Sequence, residues 1–178
     1  MHFYRFLIKF LNMSTEGSIS RRTALFALAA SRALFAIDTR EPAPNFRAKT
    51  LDGEQFNNES LKGKAVLLQF WATWCQYCRG DQPAVDSIVR DFADKALVVL
   101  GVDVGESRKK VKQYLDRSPR SCKIVLTEDT NLAALFAAKT YPFYVLIDRD
   151  GKIAGTQKGA GGEDSLRRLL RKVQLESE

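Results

Sequence analysis

The chain has 178 residues, 45% hydrophobic and 28% charged, with three cysteines, one histidine and a formal charge of +7. This supports one domain with a real apolar core plus a tail, and excludes disordered, collagen-like and low-complexity classes. The lone His2 removes Ser-His-Asp hydrolysis and histidine-rich metal sites, and three cysteines make neither a four-thiolate zinc site nor a disulfide-stapled scaffold.

In chain order, residues 1–40 read as a targeting leader. They hold six basic and two acidic residues, against twenty-two and nineteen in 41–178. Ser20-Arg21-Arg22-Thr23 is a charged start, Ala24 to Ala30 an apolar run, and Ala33-Leu34-Phe35-Ala36 a small-residue close. That order is the layout of a secretory signal, and the arginine pair resembles a twin-arginine export signal. With Arg32 inside it, the stretch also reads as an ordinary amphipathic helix, and the run is too short to span a bilayer. Met13 is an alternative start, so residues 1–12 are expected to lie outside the native product. Export through a bacterial inner membrane is the favoured expectation, the protein being soluble after cleavage or tethered by the uncleaved segment.

Arg40 to Asn45, punctuated by Pro42 and Pro44, opens a domain over 41–178. Phe46–Leu51, the Asp52-Gly53 turn and Glu54–Phe56 predict a short hairpin. Ala65–Trp71 is a dense apolar run and predicts a strand buried on both sides. Val85, Ile88, Val89 and Phe92 fall at helical spacing. Ala96–Val104 predicts another buried strand, Glu106–Leu115 a helix, and Ile124–Leu126 a short strand. Leu132, Leu135 and Phe136 mark a further helix. Phe143–Ile147, Asp150-Gly151 and Lys152–Ala154 predict a second hairpin, and Leu166, Leu169, Leu170 and Val173 a closing amphipathic helix. Strands alternating with helices imply an α/β sheet covered on both faces. Arg108, Lys109, Lys110, Lys112, Arg117, Arg120 and Lys123 form a basic stretch, read as a solvated helix face and the turn after it. Without interleaved aromatics, nucleic acid is not an expected partner.

Trp74-Cys75-Gln76-Tyr77-Cys78 carries the chemistry. It joins the strand 65–71 to the helix containing Val85. Two intervening residues let both sulfurs meet within one helical turn, and the first cysteine lies where unpaired amides and the macrodipole favour a thiolate. Cys75 is therefore the expected attacking thiol and Cys78 the resolving one. Half of a zinc knuckle has the same spacing, but only Cys122 and His2 remain as further ligands, so no metal is expected.

Phe70 to Cys78 resembles the active-site stretch of thioredoxin-fold proteins, specifically the exported TlpA/ResA-like thiol-disulfide oxidoreductases. The likeness extends over roughly 41–174, through Glu41 to Phe46, Leu61 to Lys64, Gly101 to Val104 and Leu146 to Lys152. It implies a thioredoxin fold: a central mixed sheet flanked by helices on both faces, with an extra N-terminal β-hairpin. It also implies reduction of protein or peptide disulfides by a monomer that needs no cofactor and is recharged by an upstream dithiol donor, one candidate being membrane-bound. Tyr141-Pro142 stands where the family has its cis-proline, which would present the Tyr141 backbone to an extended peptide. Trp74 is the matching groove wall. Asp81, three residues after Cys78, matches a position where relatives often place a glutamate. It reads either as a proton shuttle or as a first-turn acid that complements its helix dipole.

Departures bear on mechanism. Gln69 stands where thioredoxin has a buried aspartate, and Gln76-Tyr77 is neither Gly-Pro nor Pro-His. Arg79 lies beyond Cys78, where it should favour the Cys75 thiolate only weakly. Cys122 reads as a small hydrophobe, and Trp71 as packing. Two other readings remain: a peroxiredoxin-type thiol peroxidase, and a thioredoxin-fold module that only binds. The first requires a proline seven and a threonine three residues ahead of the cysteine, where Leu68 and Ala72 stand. The intact cysteine pair at a helix start counts against the second.

Overall fold

The computed structural model describes residues 40–175, so all of the expected leader except Arg40 lies outside the described residues. Among the described residues there are seven strands: β1 (Arg47–Thr50), β2 (Gln55–Asn57), β3 (Ala65–Trp71), β4 (Leu97–Asp103), β5 (Lys123–Thr130), β6 (Phe143–Ile147) and β7 (Ile153–Lys158). Helix α1 (Gln76–Asp91) joins β3 to β4, α2 (Arg108–Leu115) joins β4 to β5, and α3 (Leu132–Leu135) precedes β6. Helix α4 (Gly162–Leu170) follows β7 and runs into a 3-10 turn over Arg171–Val173. The strands form one sheet in the order β2-β1-β5-β4-β3-β6-β7. β3, β4 and β5 are mutually parallel, and β1, β2, β6 and β7 each run antiparallel to a neighbour.

Every residue of β3 is buried because both faces of the sheet are covered. Alternation sends Leu67 and Trp71 to one side, where Val85 and Ile88 of α1, Val111 of α2 and Leu166 of α4 close over them. Val66, Leu68 and Phe70 go to the other side, under Phe46, Phe56, Leu61 and Leu132. β3 is thus an interior strand between β4 and β6, and the cysteine motif leaves from its carboxyl end. Ligand and reactive sites of α/β sheets lie off the carboxyl ends of parallel strands.

The mixed sheet, both hairpins and the alternation of strands with helices match the expected fold. Three elements differ in extent. β5 continues through Glu128, Asp129 and Thr130, because β1 pairs with its free edge at Ala48↔Thr130 and Thr50↔Val125. The helix expected at Leu132–Phe136 is a single turn, so that face is covered largely by irregular chain, with Phe136 6.1 Å from Phe70. The last hairpin strand runs to Lys158 rather than stopping at Ala154. In the two strands no apolar period marks the boundary; ladder bonds from a neighbouring strand decide it.

Candidate functional site

Cys75 is the N-cap of α1. Its backbone is extended while the following residues turn helical, which leaves the first amides of the helix pointing at its side chain. The Cys78 amide donates to Cys75 Sγ at 3.1 Å. The two cysteines are joined as a disulfide with Cα atoms 5.3 Å apart. Cys75 is 4% exposed and Cys78 fully buried, so what exposure the pair has belongs to the first cysteine. Trp74 and Tyr77 are instead 60% and 72% exposed, one large aromatic just before the dithiol and one between its cysteines. The Trp74 ring meets Tyr141 edge-on with centroids 5.9 Å apart, and the Tyr141–Pro142 peptide bond is cis. The structure thereby brings Trp74, Tyr141 and Pro142 to one rim beside Cys75.

Arg79 differs from expectation. It follows Cys75 by four residues and so shares its helix face, and its Nη1 reaches back to donate to the Thr73 carbonyl at 3.2 Å. A positive charge thus lies on the Cys75 side of the motif.

Asp81 is 3% exposed and does not complement its own helix dipole, since no acid lies in the first turn of α1. It caps another helix. Its Oδ1 accepts from the Gly162 amide at 2.8 Å and its Oδ2 from Gly161 at 3.4 Å, at the start of α4, which has no side-chain cap of its own. Tyr144 Oη also donates to Oδ2, at 2.7 Å. Cys78 and Asp81, three residues apart, are both buried on one face of α1, a spacing of about 5–6 Å between Cβ atoms.

The AhpC/TSA family matches residues 39–156 of this chain. The chain belongs to that family. The thioredoxin-like protein YneN of Bacillus subtilis is 34% identical over 125 residues, 69% of this chain and 73% of that one. The thiol-disulfide oxidoreductase ResA of Bacillus cereus is 28% identical over 131 residues, 74% and 76% of the two chains. A crystal structure of a thiol:disulfide interchange protein of the thioredoxin family from Chlorobium tepidum superposes with a TM-score of 0.66 at 27% identity. That superposition covers 75% of this chain and 96% of the other. With its paired cysteines at the head of α1, this member of the AhpC/TSA family is a thiol-disulfide oxidoreductase of the thioredoxin fold.

Several supporting residues were not singled out as site residues in the sequence. Glu106 receives both the amide and, at 2.7 Å, the hydroxyl of Thr73, so it clamps the loop that leads into Cys75. Lys110 lies 2.6 Å from the same carboxylate. Burial alone would raise Glu106, but the hydrogen bonds from Lys110 and Thr73 outweigh it and hold the group at about 2. Asp103, fully buried at the end of β4 and level with Trp71, accepts the Glu106 amide at 3.3 Å. Burial, and then the neighbouring Glu106 carboxyl, push Asp103 up to about 7. The basic stretch is largely the expected solvated face, with Lys109, Lys110, Lys112 and Arg117 exposed; within it Arg108 also pairs with Glu128 and Asp129, Lys110 with Glu106, and Lys123 with Glu54. Arg120 is not on a solvated face at all. Its guanidinium lies 3.5 Å over the Trp71 ring. Cys122 packs against Gly101, where an added Cβ would come within 2.9 Å of its sulfur, and burial pushes its thiol up to about 11.

Proposed function

We propose that this oxidoreductase is an exported reductase of protein disulfides, with Cys75 as attacking thiol, Cys78 as resolving thiol and Asp81 as proton acceptor. The observation that carries the reading is the position of Cys75 as N-cap of α1, accepting an amide proton at its sulfur, with Cys78 buried behind it. The amide donor and the positive end of the helix favour the thiolate form of Cys75 over the thiol.

The Cys75 thiolate attacks one sulfur of a substrate disulfide, forming a mixed disulfide and releasing the other sulfur as a thiolate. Cys78 then gives its proton to Asp81 and attacks Cys75 Sγ. The second substrate thiolate leaves, and the Cys75–Cys78 disulfide closes. An upstream dithiol restores the reduced form, so two electrons pass through and no cofactor is consumed. Trp74, Tyr141 and Pro142 bind the substrate. The exposed Trp74 and Tyr77 offer apolar area suited to a polypeptide rather than a small polar molecule. The relatives named thiol-disulfide oxidoreductases support the reaction class, and the charge and small-residue layout of 20–36 supports export.

The test begins with alkylation of the reduced protein at neutral pH, where Cys75 is expected to label before Cys78 and Cys122. Insulin reduction with a dithiol donor should turn over in the wild type and stop in Cys75→Ser. Asp81→Asn should shift the pH–rate profile. Labelling of Cys78 first, or absence of turnover, refutes the assignment; hydrogen-peroxide consumption without insulin reduction would favour the peroxidase.

A further inference from the structure

Between the sheet and α1 runs a line of buried polar groups that the exchange chemistry does not itself require. The β3–β6 register sets Gln69 opposite Tyr144, both fully buried among apolar side chains. Arg120 Nη1 donates to Gln69 Oε1 at 3.2 Å. Gln69 Nε2 donates to Tyr144 Oη at 3.2 Å, and Tyr144 Oη donates to Asp81 Oδ2 at 2.7 Å. All three bonds point the same way. The direction is dictated at the Arg120 end, since a guanidinium has only donors and can face only the oxygen of the amide. The amide nitrogen must then face Tyr144, whose single proton is left for Asp81. Burial and the bond to Asp81 keep that phenol protonated by raising it above its ordinary value.

We propose that Arg120 sets the hydrogen-bond polarity of the buried Arg120–Gln69–Tyr144–Asp81 chain, and so keeps Asp81 an acceptor one turn beyond Cys78. This deepens the proposed function, because it rests on Asp81 taking the Cys78 proton. Without the guanidinium, Gln69 is free to turn its oxygen to Tyr144 and accept the phenolic proton. Asp81 Oδ2 is then left with only the Gly161 amide at 3.4 Å. The guanidinium also has Nε and Nη2 buried without hydrogen-bond partners, so its place over Trp71 is not explained by its own satisfaction. The titratable and charged groups around the chain are Cys78 on α1, Tyr114 on α2 at 5.9 Å from the guanidinium, Cys122 beside it, and Asp86, which accepts the Ser121 amide. Arg120 is thus a positioning residue, acting through Gln69 and Tyr144.

The experiment follows both steps in the reduced full chain mixed with the aromatic disulfide DTNB. Release of the first thiolate reports attack by Cys75, and release of the second reports resolution by Cys78. Arg120→Met should slow the second release at neutral pH by about fivefold or more and move its pH midpoint upward, with the first release changed less than about twofold. Tyr144→Phe should do the same, and the double variant should be no slower than Tyr144→Phe alone, because both changes break one chain. Gln69→Met cuts the chain at its middle and serves if Arg120→Met does not fold. Wild-type resolution in the Arg120 and Gln69 variants, or effects that multiply in the double variant, overturns the proposal. No first release in the wild type, or an unaffected second release in Asp81→Asn, overturns the parent reading instead.

Discussion

Asp103 and Glu106 are three residues apart and titrate in opposite directions, the first pushed up to about 7 and the second held at about 2. Both lie behind the Thr73 loop, so their protonation bears on how firmly Cys75 is held. Between about pH 4 and 7 the folded protein keeps a proton on Asp103 that the unfolded chain has released, so this group makes stability fall as pH rises through that window. Glu106 contributes stability above its ordinary value of 4.5 and loses it as pH falls towards 2. Asp103→Asn should therefore flatten the neutral limb and leave the acid limb in place. An amide there still accepts the Glu106 N–H and can donate to the Glu106 carboxylate. At pH 8 the variant should be more stable by about 1–2 kcal/mol, the scale of one buried hydrogen bond. Urea midpoints measured from pH 4 to 8 check this, and parallel curves for the two proteins would refute it.

At the scale of elements, α4 depends on a residue far away in the chain. Its start is Gly161-Gly162, which carries no side-chain donor or acceptor, and Asp81 from α1 receives both amides. Glycine is required there: a Cβ on Gly161 would come within 2.7 Å of Gln157 and Ser165, and Gly162 has φ +69°. Asp81→Ala strands those two amides and the Tyr144 hydroxyl, and should cost about 1–3 kcal/mol in chemical denaturation. Gly162→Ala should cost about 1–2 kcal/mol through its left-handed backbone. An Asp81→Ala midpoint equal to that of the wild type would leave α4 capped by some other group. This cap also marks the limit of sequence reading. The strand 65–71, the helix start at Cys75 and both hairpins were legible, because periodicity and turn residues are local signals. The cap was not, because it spans some eighty positions and appears in the sequence only as an acid after Cys78. Arg120 was misplaced for a related reason. Seven basic residues in sixteen look like a solvated face, and only the fold of the loop before β5 lays one of them on Trp71. The polar half of β5 was missed because its order comes from the β1 ladder rather than from any apolar period.

For the whole molecule the direction of electron flow is a prediction argued from the charge around Cys75. A strong oxidant needs a very stable thiolate in its reduced form, which raises its potential. Here the Cys78 amide and the start of α1 favour that thiolate, and Arg79, bonded to Thr73, adds positive charge on the same helix face. Against these, the two residues between the cysteines are neutral and turned to solvent, and Glu106, paired with Lys110, sets a carboxylate behind Thr73. The balance gives modest stabilisation. On a scale where thioredoxin lies near about −270 mV, protein disulfide isomerase near about −180 mV and the strongest periplasmic oxidant near about −120 mV, the expected value lies towards thioredoxin. Equilibration of the Cys75–Cys78 pair against graded glutathione buffers measures the value directly, and a potential above about −180 mV would exclude a reductase. Arg79→Ala supplies the internal control. Removing a charge that favours the thiolate destabilises the reduced form, so the potential should become more negative by about 10–20 mV, the equivalent of less than 1 kcal/mol. A shift in the opposite direction would mean that the Arg79 charge acts on the oxidised form, and that Cys75 draws its reactivity from the helix start alone.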